Sequence, residues 1–196
     1  KQFSDDAIAN NDDFNLIDST ASESIRFRNP TNSLLIDSAD GIDIVTVGEL
    51  DLMTSFPTMT IDAGSGDDEV NILALPVAVS ATVDGNAGND RIVVGKLGSL
   101  DLILGNLSVA GGDQIPGSDN SGSVTAKALT VTATIAAGDT LVVDDSASPA
   151  VSNYTIDSTS VTRAISPVIN YGTIEELTVL TGTAAATVNV LGTNAA

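Results

Sequence analysis

One pattern returns along this chain about once every 23 residues: apolar positions, an Asp, a Gly-rich turn, a second Asp, and apolar positions again. The clearest copy runs from Met59 and Ile61 through Asp62, Gly64, Gly66 and Asp68 to Val70 and Ile72. The next runs from Ala81 and Val83 through Asp84, Gly85, Gly88 and Asp90 to Ile92 and Val94. An earlier one joins Leu34 and Ile36 to Val45 and Val47 through Asp37, Gly41 and Asp43. With the second Asp as anchor, equivalent positions fall at Asp12, Asp43, Asp68, Asp90, Asp113, Asp139, Arg163 and Ala186, at successive intervals of 31, 25, 22, 23, 26, 24 and 23. Self-similarity at such a period marks an architecture of stacked repeats.

Within each repeat the apolar positions alternate, which places Ile61, Val83, Val70, Ile92, Leu141 and Val188 on one face of their strands. Val, Ile and Thr dominate these runs and suit a pleated surface, whereas helix-spaced apolar residues are scarce. Two or three short strands per repeat cannot bury their apolar face alone. Stacked at about 4.8 Å, they join those faces into one column and pair every backbone group. The expectation is an all-β fold, a right-handed parallel β-helix (a single-stranded β-solenoid) of about seven to eight coils of roughly 23 residues. A hairpin-built sandwich competes with it, but it calls for turns roughly 8 to 12 residues apart and no constant Asp offset.

Residues 1–196 read as one such domain: 1–33 as an N-terminal cap or first coil with a side loop, 34–196 as repeated coils. Phe3, Phe14 and Phe27, three of only six aromatic residues, support a cap at that end. The polar, Gly-rich run from Gly111 to Ser123 reads as an excursion from the repeat. The chain opens at Lys1 with no start methionine or signal sequence, and is expected to be an excised piece with flanking repeats continuing end to end.

Composition narrows function by exclusion. A net charge of −19, with 26 acidic against 7 basic residues, argues against nucleic acid and anionic membranes, and no run is long enough for membrane insertion. Absence of His, Cys and Trp removes the usual nucleophilic triads and zinc ligand sets. Polysaccharide lyases and hydrolases do use parallel β-helices, but with basic and aromatic residues that are scarce here. The Thr130 to Thr134 run is an ordinary Thr-rich strand face.

Asp outnumbers Glu 21 to 5, and Asp is the acid that accepts turn geometry. At four anchors a second Asp lies six residues earlier: Asp6 and Asp12, Asp37 and Asp43, Asp62 and Asp68, Asp84 and Asp90. Stacking would turn each member into a column of carboxylates, repelling by roughly 0.9 kcal/mol per neighbour even in bulk water. In a later repeat Asp157 precedes Arg163 by the same interval, so a fixed cation could replace a mobile one.

The segments from Ala63 to Asn71 and from Gly85 to Val93 resemble the G-G-x-G-x-D-x-U-x unit of haemolysin-type (RTX) calcium-binding repeats. The contexts of Gly138 to Ser146, Tyr171 to Val179 and Thr187 to Val190 are similar to repeats in very large secreted or surface proteins of bacteria. The resemblance implies Asp68 and Asp90 as candidate calcium ligands, with Asp62 and Asp84 beside them, and calcium as the sole candidate cofactor. RTX units, however, run in tandem every nine residues, whereas one turn occurs per repeat here. A non-enzymatic rod or spacer of an extracellular or cell-surface protein is the first expectation, its surface or protein partner unknown. The alternatives are a calcium-dependent binding module and, more distantly, a carbohydrate-active β-helix.

Overall fold

A computed structural model describes residues 2–5, 14–18, 25–50, 56–112, 138–164 and 168–192. The described residues are all-β, without a helix, and most strand pairs are parallel. The strands are β1 (Gln2–Asp5), β2 (Phe14–Asp18), β3 (Ile25–Arg28), β4 (Ser33–Asp37), β5 (Ile44–Val47), β6 (Thr58–Asp62), β7 (Glu69–Ile72) and β8 (Ser80–Asp84). There follow β9 (Arg91–Val94), β10 (Leu107–Ala110), β11 (Thr140–Asp144), β12 (Ser152–Ile156), β13 (Ser160–Arg163), β14 (Ile169–Gly172), β15 (Glu176–Leu180) and β16 (Ala186–Val190).

They form two eight-stranded sheets, ordered β15-β11-β9-β7-β5-β1-β2-β3 and β16-β12-β13-β14-β10-β8-β6-β4. Consecutive strands such as β6 and β7, or β8 and β9, fall in different sheets, and the turn between them carries the repeated Asp-Gly segment. Parallel pairing runs through six strands of the first sheet, β1 to β15, and five of the second, β4 to β14. Registers repeat side by side: Ile36, Ile61, Val83, Val109 and Tyr171 form one row, and Val45, Val70, Ile92, Leu141 and Leu177 another. The alternation exposes one face and buries the other, so rows from both sheets meet in a single core with Leu75, Leu100 and Ile103 from the connections.

Ile61, Val83, Val70, Ile92 and Leu141 are buried as their alternation requires. Val188 is not. It lies in register with buried Tyr154, yet it is 45% exposed because β16 is the edge strand and no described strand covers it.

Two departures from strict repetition locate the limits of the period. The strand after β9 in its sheet is β11, so the step from Asp90 to its successor Asp139 spans 49 residues, and Asp113 lies outside the described residues. The next step, to Glu175, spans 36, because the chain first leaves to build an antiparallel hairpin, β12 and β13, that lines up beside β14. Arg163 and Ala186 therefore belong to β13 and β16 and not to the anchor column. Asp6, Asp12 and the run from Thr130 to Thr134 also lie outside the described residues.

The glycines of the motif serve the vertical approach of one turn to the next. Gly64 has φ +95°, and a Cβ there would run into the carbonyl of Ala39 in the neighbouring turn. That carbonyl accepts the N–H of Ser65 at 3.1 Å, so the turns are locked by their own backbone. Gly64→Ala is expected to cost about 2 kcal/mol or more, from left-handed strain plus the lost turn-to-turn bond. Urea unfolding of the variant checks this. A change no larger than about 0.5 kcal/mol, the usual size for an unconstrained surface position, would show that the turns do not stack so closely.

Candidate functional site

The anchor Asp residues form a ladder inside the corner between the two sheets. Asp68 Oδ1 accepts the backbone N–H of Asp43 at 2.7 Å, Asp90 Oδ1 that of Asp68 at 2.9 Å, and Asp139 Oδ1 that of Asp90 at 2.8 Å. Glu175 Oε2 then accepts the N–H of Asp139 at 2.9 Å. Each anchor carbonyl takes the N–H of the residue after the next anchor: Asp43 from Glu69, Asp68 from Arg91, Asp90 from Thr140 and Asp139 from Glu176. The side chain thus supplies the rung that the backbone cannot complete where the turn re-enters the strand, and a buried N–H without a partner is costly.

These carboxylates are buried: Asp68 is 3% exposed, Asp90 1% and Asp139 0%. The second oxygens, Asp68 Oδ2 and Asp90 Oδ2, have no hydrogen-bond partner among the described residues. Burial pushes the Asp90 carboxyl up to about 7, with Asp139, Asp68 and Asp67 adding like charge against the hydrogen bond from Asp68. Burial also raises Asp68. Gly85 lies directly against Asp90 Oδ2, where a Cβ would collide with it.

Asp62 and Asp84 sit on the other arm of the turn. They stand in register with Asp37 at the strand ends, a second and more accessible column. Asn86 spans it, its side-chain amide donating to Asp62 Oδ1 at 2.7 Å and its backbone N–H to Asp84 Oδ1 at 3.2 Å. That neutral bridge relieves part of the repulsion expected of stacked carboxylates. Of the four candidate calcium ligands, the structure therefore brings Asp68 and Asp90 together in the buried ladder and Asp62 and Asp84 together in the outer column. Among the described residues no group of three or more acidic side chains gathers as a metal would need. Calcium takes about six to eight oxygen ligands, and one free oxygen each from Asp68 and Asp90 does not make such a set.

A second polar cluster escapes any counting of repeats. Arg163, 2% exposed, places Nε 3.0 Å from Asp145 Oδ2 and Nη1 2.8 Å from Asp101 Oδ1. It also donates to Ser152 Oγ at 3.2 Å and Ser148 Oγ at 3.0 Å. Asp145 is fully buried and also receives the Tyr154 hydroxyl and the N–H of Leu100. Burial first, and the Asp145 hydrogen bond second, push Tyr154 up to about 12. The fixed cation expected opposite Asp157 thus lies elsewhere. Asp157 closes the β12–β13 turn by accepting the N–H of Thr159 at 2.8 Å. The sequence signal for this cluster is one Arg inside an otherwise uncharged strand run, Ser160 to Ala164.

The ladder accepts backbone N–H groups; the Arg163 cluster ties four chain segments together. Compared with protein-family models, curated proteins and solved structures, the chain matches none.

Proposed function

We propose that the chain is a right-handed parallel β-solenoid that serves as a rigid, acidic, non-enzymatic rod or spacer in a large secreted or cell-surface bacterial protein. The observation that carries this reading is the unbroken parallel register through six strands of one sheet and five of the other, with the repeated turns bonded to one another. Asp68, Asp90 and Asp139 serve that stacking as rungs, while Asp37, Asp84, Asp144 and Asp157 cap their own turns. A structure whose charges serve its own backbone suits load and reach better than turnover.

Pulling the chain by its two ends should give one cooperative force peak followed by full extension, because core and turns are shared between neighbouring levels. Gradual lengthening without a peak would defeat the spacer reading, as would depolymerisation of any polysaccharide that Asp62→Asn with Asp84→Asn abolishes. The calcium-dependent module remains the second reading, favoured by the partnerless Oδ2 atoms of Asp68 and Asp90. A rise in melting temperature with calcium at fixed ionic strength, absent with magnesium, would move the choice to it.

A further inference from the structure

Four of the described strands end the two sheets: β3 and β15 the first, β4 and β16 the second. Three of them carry charge, which keeps other strands from pairing with a sheet edge. β3 has Arg26 and Arg28, β15 has Glu176, and β4 ends at Asp37. β16, Ala186–Val190, has no charge, no proline and no glycine. It lies within the longest run of the chain that lacks a charged side chain, Leu177 to Ala196, in a protein of net charge −19.

β16 is also open. All five of its residues are exposed, and among the described strands it touches β12 alone. Val188 and Val190, on the core side in register with Tyr154 and Ile156, are 45% and 59% exposed, and Leu191 beyond them is 74% exposed. Its backbone is half used as well. Leu191 donates its N–H to the Ile156 carbonyl at 2.8 Å, so by alternation Thr187, Asn189 and Leu191 turn their peptide groups toward β12. The N–H and C=O of Ala186, Val188 and Val190 point the other way, where no described strand receives them.

The strand is complementary to itself. Turned about a two-fold axis at Val188, a second β16 runs antiparallel, with Val188 opposite Val188 and Ala186 opposite Val190. Those are the residues whose peptide groups face outward, so each facing pair exchanges both N–H···O=C bonds, as hydrogen-bonded pairs of an antiparallel ladder do. Ala186, Val188 and Val190 meet on the core side, and Thr187 meets Asn189 on the outer face. A register centred one residue to either side leaves an end of the strand unpaired.

We propose that β16 is a self-association edge, through which two copies of the chain pair antiparallel about a two-fold axis at Val188 and continue one sheet into the other. The contact is isologous, so it closes as a dimer and does not propagate. A strand pair of this length falls below the ~1,200 Å² of a standard stable interface, so the dimer is weak. The joint rests on the edge position of β16 and not on the spacer role.

Sedimentation equilibrium of the full chain should show a weight-average mass that rises with concentration and levels at the dimer. The joint is apolar and backbone-mediated between two acidic bodies, so added sodium chloride should strengthen it by screening their repulsion. Val188→Pro should lower the association constant about tenfold or more, since the ring removes an N–H that points away from β12 and spares the bonds to β12. Val190→Asp should do the same without touching the backbone, by setting charge into the apolar face. The chain has no cysteine, so Val188→Cys tests the axis directly. Facing residues of such a pair have Cα atoms about 5.5 Å apart, within disulfide reach. Oxidation should give disulfide dimers from Val188→Cys and none from Leu35→Cys, a more exposed position on the opposite edge strand of the same sheet. A wild-type chain that stays monomeric at its highest attainable concentration, with an intact β circular-dichroism spectrum, overturns the joint while leaving the rod standing. A mass that climbs past the dimer, association that salt weakens, or dimers formed as readily from Leu35→Cys overturns it as well.

Discussion

Arg163→Met should destabilise the protein by about 3–5 kcal/mol, since it strands a fully buried Asp145 carboxylate without its cation. The remaining partners of Asp145, the Tyr154 hydroxyl and the Leu100 N–H, are donors but carry no full charge. The loss would fall on a vulnerable place in the fold. β12 and β13 form the one hairpin inserted beside an otherwise parallel run in their sheet, and Arg163 joins that hairpin to Asp145, Ser148 and Asp101 on other segments. Adding Asp145→Asn to Arg163→Met should recover much of the loss, because the amide oxygen still accepts from Leu100 while the buried charge is gone. Paired urea titrations of the two single variants and the double variant measure this as non-additivity. Additive losses, or a single loss below about 1 kcal/mol, would mean that the cluster is a bystander.

The central levels were legible in the sequence because three local signals agree there. Around Asp62 to Ile72 and Asp84 to Val94, alternation names the buried rows, the turn glycines mark the corners, and the Asp offset gives the period. Legibility fails where a level is built by chain that does not repeat. Glu175 takes the anchor place with one more methylene than Asp, and counting in steps of about 23 instead lands on Arg163 and Ala186. Val188 shows a different limit: alternation tells which face a side chain takes, but burial also needs a neighbouring strand, which the edge strand β16 lacks.

The role of the anchor Asp was hidden for a physical reason as well. Composition favours Asp as a solvated corner residue, and the resemblance to calcium repeats favours it as a ligand. Neither considers the backbone N–H of the adjacent level, which becomes visible only once Asp43, Asp68 and Asp90 are stacked. The outer column at Asp37, Asp62 and Asp84 keeps the ordinary turn role, with Asp37 and Asp84 each accepting an N–H two residues on.

Stability should fall as pH rises from about 4 to about 7, the reverse of a protein held by ionised carboxylates. The Asp90 carboxyl titrates near the usual carboxylate range when unfolded but at about 7 when folded, with burial as the largest cause. The folded state therefore binds the extra proton between those values, so its contribution is complete below the unfolded pKa and lost as pH passes through the folded one. Asp68, raised by burial as well, acts in the same direction. Each tenfold gain in proton affinity on folding is worth about 1.4 kcal/mol, which makes the loss across this window a few kcal/mol. Asp101, held low chiefly by its hydrogen bond from Arg163, works in the opposite sense, but its stabilisation is lost only in more acid solution. Asp90→Asn keeps an oxygen for the Asp68 N–H and has no proton to lose, so its unfolding free energy should fall less steeply across the same window, with Asp68 still contributing, and exceed that of the wild type at pH 8. Urea unfolding at closely spaced pH values would decide it. A wild-type profile that is level or rising from pH 4 to 7 would mean that Asp90 is ionised in the folded chain. Recovery of wild-type stability at pH 8 by calcium, but not in Asp90→Asn, would put a cation where the proton is expected.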